Sequence, residues 1–253
     1  MEYDKKLLKK ILPKKISVVR IFDEVDSTSS EARRYALCGE CKNALFISDR
    51  QSGGRGRMGR SFYSPSDTGI YLSLLLPAPS QAYDLLSVTS AAAVAVRRAI
   101  LSVTGVSTGI KWVNDLYLNG KKVCGILCET LSEQKAMIIG VGINLYPSPL
   151  PAEISDIAGA ILDTENVTGL REALAAKVAE ELLIITSQKD NDKLWREYKE
   201  NSIVLGREIR YIQNGVSYSG IATDIDSYGR LFVTDPEGNT QILSSGEISV
   251  RFE

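Results

Sequence analysis

A chain of 253 residues, 44% hydrophobic and 24% charged, has ordinary globular composition and enough length for a sizeable core plus a small second unit. Thirty Lys and Arg against 31 Asp and Glu leave a formal charge of -1, which excludes bulk attraction to nucleic acid or an anionic membrane, so any anion site must be local. Histidine is absent, which excludes Ser-His, Cys-His and His-metal catalysis and leaves Lys, Arg, Asp and backbone groups to do the chemistry.

No run approaches about 18 apolar residues, and residues 1–6 lack the apolar core of a signal peptide, so a cytoplasmic protein without membrane association is expected. The pairs Cys38 and Cys41, and Cys124 and Cys128, invite a zinc reading. Residues 123–128, however, read as a buried strand, where positions four apart are separated by about 13 Å and cannot share an ion whose sulfur bonds are about 2.3 Å. Reduced, passive thiols and no protein metal site are the expectation.

In chain order, a basic lead-in gives way to a strand at 18–22 and a helix from 26 to about 37, where Thr28 and Glu31 fit capping-box spacing. A strand at 44–47 runs into the polar, glycine-rich stretch 51–60. Residues 69–76 read as a buried strand ended by Pro77, and 83–101 as a long Ala-rich helix. The segment 111–115 reads as a buried strand with a charge at each end. Asn119-Gly120 marks a hairpin that pairs Leu118 with Lys121 and Tyr117 with Lys122, placing Asp115, Tyr117 and Lys122 on one face. A strand at 137–145 and helices at 170–186 and 192–201 follow. Beyond about Leu205, short β runs at 208–212, 216–225, 231–234 and 240–243 alternate with glycine turns, which predicts a small antiparallel barrel. The expected organisation is α+β, with a catalytic domain over 1–204 and a β domain over 205–253.

Gly54, Gly56 and Gly59 literally match the dinucleotide fingerprint, but that fold needs an apolar strand directly before the glycines and a helix opening on them; the flanking residues 48–52 and 60–65 are polar or end in proline. What remains is backbone able to turn N–H groups toward an anion, with Arg55, Arg57 and Arg60 as forks for carboxylate or phosphate. An ordinary solvated loop or a weak RNA contact is the alternative. The hydroxyls of Ser27, Thr28 and Ser29 suit either a helix cap or an uncharged polar head such as a ureido ring. Lys111, Asp115 and Lys122 would gather two ammonium groups and a carboxylate, a set suited to phosphoryl or acyl chemistry; an internal salt bridge is the plainer reading.

Taken together, Asp26-Ser27-Thr28, the segment 54–60, Lys111-Trp112-x-Asn114-Asp115, Lys122-x-x-Gly125-Ile126-Leu127 and Gly142-Ile143-Asn144 resemble, in this order, the biotin protein ligase family. The ending 246–251 resembles that family's C-terminal domain. The resemblance implies a mixed-sheet catalytic domain of the class II synthetase-like, biotin/lipoate ligase type, followed by an SH3-like β-barrel. It also implies two half-reactions: biotin and ATP with Mg2+ give biotinyl-adenylate, and a lysine of a biotin carboxyl carrier protein or domain then attacks it. By motif position, Ser27, Thr28, Gln51, Gly54, Arg55, Lys122 and Gly125 would hold biotin, and Arg57, Arg60, Lys111, Trp112, Asn114 and Asn144 the nucleotide. Arg55, Lys122 and Asp115 would be catalytic: Lys122 bridging the biotin carboxylate and the α-phosphate, Asp115 orienting or deprotonating the incoming lysine.

Val113 stands where the family usually has proline, and Ser29 where asparagine is common. The 25 residues before Asp26 are too few for the winged-helix domain of bifunctional members, so a monofunctional ligase without specific DNA binding is expected. Homodimerisation is left open, since no exposed apolar stripe decides it. The nearest rival, a lipoate or octanoate protein ligase, usually carries a histidine-containing motif that this chain lacks. A catalytically silent sensor would not need Arg55, Lys122 and Asp115 together, and near-neutral charge disfavours an RNA-binding module. Because seven of the nine residues 52–60 are Gly or Arg, this loop is expected to order only as it closes over biotin.

Overall fold

The computed structural model describes residues 3–39, 41–78, 85–164, 166–187, 192–213, 215–244 and 248–250. Seven strands, β1 (Val18–Val25), β2 (Ala44–Gln51), β3 (Gly69–Pro77), β4 (Gly109–Lys111), β5 (Asp115–Leu118), β6 (Lys121–Leu131) and β7 (Ala136–Asn144), form one sheet in the order β1-β2-β3-β7-β6-β5-β4. Only β1 and β2 pair in parallel. Short turns join β4 to β5, β5 to β6 and β6 to β7, whereas α2 (Thr28–Leu37) makes the crossover from β1 to β2.

The central strands read as nearly continuous apolar runs because both of their faces are covered. Leu45, Ile47, Leu72, Leu74, Ile139 and Val141 enter the main core, which they share with α3 (Leu85–Thr104) and α4 (Leu170–Ile185). Alternate residues Phe46, Leu75 and Ile138 pack with Ala32 and Ala36 of α2 on the other face. Each such buried side chain contributes about 1.5–3 kcal/mol relative to exposure. Helix α3 is long and apolar enough to cross a membrane by length and composition, but it is mostly buried here and packs against α4. Positions 83 and 84 of the expected helix lie outside the described residues.

Several expectations are corrected. The basic lead-in contains α1 (Lys5–Ile11), whose N-cap Asp4 accepts from the N–H groups of Lys6 and Leu7 at 2.9 Å each, with Leu8 fully buried. The capping box over Thr28 and Glu31 does not form: Ser27 is the N-cap, and its hydroxyl makes no bond within the helix. β2 continues through the polar residues 48–51, because tertiary partners satisfy them; Asp49, for example, pairs with the buried Arg171 at 2.6 Å. Residues 112–114 are a turn between β4 and β5, not strand, so Lys111 and Asp115 oppose each other across a hairpin. The Trp112–Val113 peptide is cis.

Past α5 (Asp192–Glu200), strands β8 (Glu208–Gln213), β9 (Val216–Ile225), β10 (Leu231–Thr234), β11 (Thr240–Leu243) and β12 (Ile248–Val250) form a separate antiparallel sheet ordered β11-β10-β9-β8-β12. Alternation turns Ile209 and Tyr211 inward with Ala222, Ile225, Leu231 and Val233. The turn before β10 docks on the large sheet: the Trp112 indole N–H donates to the Gly229 carbonyl at 2.8 Å. Positions 246, 247 and 251 of the expected C-terminal motif lie outside the described residues.

Candidate active site

Helix α2 covers only part of its face of the large sheet. Beyond it the register aligns two short rows: Tyr71, Gly142, Gly125, Asp115 and Lys111 in one, Ser73, Gly140 and Leu127 in the next. Glycine lets neighbouring side chains pack directly onto this floor: a Cβ on Gly142 would lie 2.5 Å from the Phe62 ring, and one on Gly140 2.5 Å from the Ser29 hydroxyl. Above the floor lies a cleft of about 930 Å³, including its open mouth, to whose lining Ile248 of the small sheet contributes.

Lys122 reaches this floor through a bulge. The predicted pairs Leu118 with Lys121 and Tyr117 with Lys122 are present, but the next pair is Leu116 with Cys124, so Val123 is an extra residue on β6. Val123 and Cys124 are both buried in the main core, which turns Lys122 onto the same face as Gly125. Its ammonium lies 2.8 Å from an Asp115 carboxylate oxygen. Lys111 follows a different course, with its ammonium 5.2 Å above the Tyr117 ring and 3.4 Å from that phenol oxygen. Burial pushes the Cys124 thiol up and the Cys128 thiol up to about 12, so both stay protonated in the core.

At the other end of the cleft a hydrogen-bond chain runs through Gln51. The Thr28 N–H donates to Gln51 Oε1 at 2.9 Å, so the Gln51 oxygen must face it and the Gln51 amide nitrogen donates to Ser64 Oγ at 2.9 Å. Ser64 in turn donates to the Phe62 carbonyl at 2.9 Å. The Thr28 hydroxyl lies 3.2 Å from the same acceptor oxygen and can donate to it. The Thr28 hydroxyl also lies 2.8 Å from Ser73 Oγ, which lies 3.0 Å from Ser29 Oγ, and in both of these hydroxyl pairs either oxygen can donate. Thr28 keeps one lone pair for a ligand donor. Ser27, buried beside it and unbonded within the helix, has a hydroxyl for a ligand acceptor.

The glycine-arginine loop arches over the floor as a short 3-10 turn at Arg57–Gly59, held at its base by Gln51 against Ser64 and Arg55 against Ser61. No helix opens on its glycines, so the dinucleotide reading fails even though a strand precedes them. The Arg57 guanidinium donates to Asn114 Oδ1 at 3.1 Å, while the Asn114 amide donates to the Ile126 carbonyl at 2.8 Å. Arg55 instead pairs with Glu129 at 3.0 Å.

The cleft thus brings together Ser27, Thr28, Gln51, Arg55, Arg57, Arg60, Lys111, Trp112, Asn114, Asp115, Lys122 and Gly125. Gly54 and Asn144 are not among its lining residues: Gly54 packs tightly under Phe62 and Ser64, and the Asn144 amide donates to the Gly159 carbonyl at 3.0 Å. Sequence reasoning missed Ser73, Phe62, Arg33 and Glu129. A signal existed for Ser73, a lone serine within an apolar strand, and for the alternating glycines at 140 and 142.

Residues 35–144 match the family described as "Biotin/lipoate A/B protein ligase family", and residues 204–251 match "Biotin protein ligase C terminal domain". The chain is 31% identical over 243 residues to the Bifunctional ligase/repressor BirA of Bacillus subtilis, across 88% of this chain and 71% of that protein. It is also 31% identical over 233 residues to the Biotin--[acetyl-CoA-carboxylase] ligase of Mycobacterium tuberculosis, across 89% of this chain and 86% of the relative. Among solved structures, the biotin protein ligase from Aquifex aeolicus in complex with biotin and ATP superposes with a TM-score of 0.77 at 26% identity, across 94% of this chain and all of that one. A mixed seven-stranded sheet, a separate C-terminal sheet and relatives that span both place the chain in the biotin protein ligase family.

Proposed function

We propose that this chain joins biotin to ATP, forming biotinyl-adenylate and pyrophosphate, and then transfers biotin to a lysine of a biotin carboxyl carrier protein or domain. The observation that carries this reading is Lys122, turned by a bulge onto a glycine floor between a hydroxyl cluster and an arginine-rich loop. A ureido head has two N–H donors and one carbonyl acceptor, the complement of the open Thr28 lone pair and the Ser27 hydroxyl. Gln51 orients Thr28, and Gly125 lets Phe62 and Lys122 lie close against the floor beneath the ligand. Gly54 contributes through the loop backbone rather than as a lining residue.

In this reading Lys122 bridges the biotin carboxylate and the α-phosphate, and its charge offsets the negative charge that grows as the oxygen attacks. Arg57 and Arg60 supply further positive charge, and Lys111, Trp112 and Asn114 shape the adenylate end, with Asn144 supporting it from behind. In this reading Asp115, 2.8 Å from Lys122, orients or deprotonates the incoming lysine. Mg2+ enters with ATP as part of the substrate; among the described residues no cluster of three or more His, Cys, Asp or Glu offers it a protein cage.

We assign catalysis to residues 1–204 and closure of the cleft to residues 205–253. The free thiols at Cys38, Cys41, Cys124 and Cys128 suit the reducing cytoplasm. Specific DNA binding is not part of this proposal, and a homodimer is not required by it. The test is transfer of labelled biotin, with ATP, to a carboxyl carrier domain and to the same domain with its acceptor lysine changed to arginine. Labelling of the first alone supports the proposal; no labelling of either, or labelling with lipoate in place of biotin, refutes it.

A further inference from the structure

Glu129 sits on β6, on the same face as Gly125 and Leu127, at the rim of the cleft. Its carboxylate joins two arginines from different elements. Arg33 of α2 donates to Oε1 at 2.8 Å, and Arg55 of the loop forks across both oxygens at 3.0 and 3.3 Å. The Glu129 side chain is only 15% exposed, against 41% for Arg55, so the carboxylate is costly to leave without its partners. Apolar burial does little to hold the loop down, since Met58 at its crest is 75% exposed. A two-pronged guanidinium–carboxylate contact fixes direction as well as distance.

We propose that Glu129, braced by Arg33, latches the glycine-arginine loop shut through Arg55. Arg55 is then a positioning residue, its guanidinium spent on Glu129, and Arg57 with Lys122 meets the phosphate. This rests on the ligase reading for what lies beneath the loop: a mixed anhydride that water destroys and that must be kept until the acceptor lysine arrives. Swinging Arg55 to a phosphate would leave Glu129 with Arg33 alone, so the two roles compete for one guanidinium. The latch holds this glycine-rich loop along the rim without ligand, in place of the ordering over biotin alone that its composition suggested.

The experiment compares Glu129→Gln, Arg55→Gln and the double variant. It measures tryptic cleavage after Arg57 and Arg60 in the protein without ligand, and escape of biotinyl-adenylate formed from biotin and ATP without acceptor. Each single variant is expected to speed both by about three- to fivefold, and the double variant no more than either single. For Glu129→Gln the biotin KM rises while the saturating rate of pyrophosphate exchange stays within about twofold, which separates a lost latch from a lost fold. Glu129→Asp, which keeps the charge on a shorter arm, recovers part of the protection. Additive effects of the two substitutions, or unchanged tryptic cleavage in Glu129→Gln, overturn the latch. Absence of adenylate in the unaltered protein overturns the ligase reading instead, and the tryptic comparison still decides the latch.

Discussion

The two faces of the large sheet are made by alternate residues of the same strands and serve opposite ends. On β7, Ile139, Val141 and Ile143 lie in the main core, while Gly140 and Gly142 between them form the cleft floor. On β6, Cys124 and Ile126 face the helices, and Gly125 and Lys122 face the cleft. One face is selected for volume, since apolar area removed from water is what stabilises it. The other is selected for missing volume and a few placed charges, which add little stability. Stability and chemistry therefore come apart one residue at a time, and substitutions on the two faces should fail in different assays.

The largest expected effect is on the cleft face. Lys122→Ala should slow biotin-dependent pyrophosphate exchange by about 100- to 1000-fold, the usual consequence of removing a group that stabilises developing charge. Its unfolding free energy should move by less than about 1 kcal/mol in urea, because the pair with Asp115 is partly exposed. Ile139→Ala, on the other face of the neighbouring strand, should do the reverse. It removes about 2–4 kcal/mol of stability by transfer and cavity terms, with exchange per folded molecule retained. A variant that lost both properties equally would break the distinction.

Smaller effects sharpen it. Trp112→Phe keeps a buried ring but strips the N–H from the Gly229 carbonyl, and should cost about 1–2 kcal/mol in urea unfolding. The smallest effect is a pH dependence at Asp226. Partial burial raises its carboxyl, but N–H groups of Arg230 and Tyr228 and the Arg230 guanidinium outweigh this and hold it below the usual carboxylate range. Stability from a depressed carboxylate is present above the unfolded value, about 3.9, and is lost as pH falls through the lower folded value. The urea midpoints of the unaltered protein and Asp226→Asn should therefore differ at pH 7 and converge as pH falls below about 4; a difference that grew with acid would reverse the sign.

Much of this organisation was legible in local chemistry. Asn119-Gly120 has the positive φ values that its hairpin needs, and the C-terminal strands begin and end near their glycine turns. What escaped depended on distant partners. Residues 48–51 are too polar to read as strand, yet Asp49 is satisfied by Arg171, 122 positions away, and Gln51 by Thr28 and Ser64. The motif from Lys111 to Asp115 read as strand because its apolar centre suggested burial. Its turn is held instead by Gly229 on Trp112 and by the Tyr198 hydroxyl on the Val113 carbonyl. The bulge at Val123 left no mark in the residue pattern, although it decides which way Lys122 points.

The most direct test of the central claim is exchange of labelled pyrophosphate into ATP, run in parallel with biotin, lipoate and octanoate, for the unaltered chain and Lys122→Ala. Exchange with biotin alone, falling by at least about 100-fold in the variant, is the predicted result. Exchange driven by lipoate or octanoate, or biotin-driven exchange indifferent to Lys122, would contradict it.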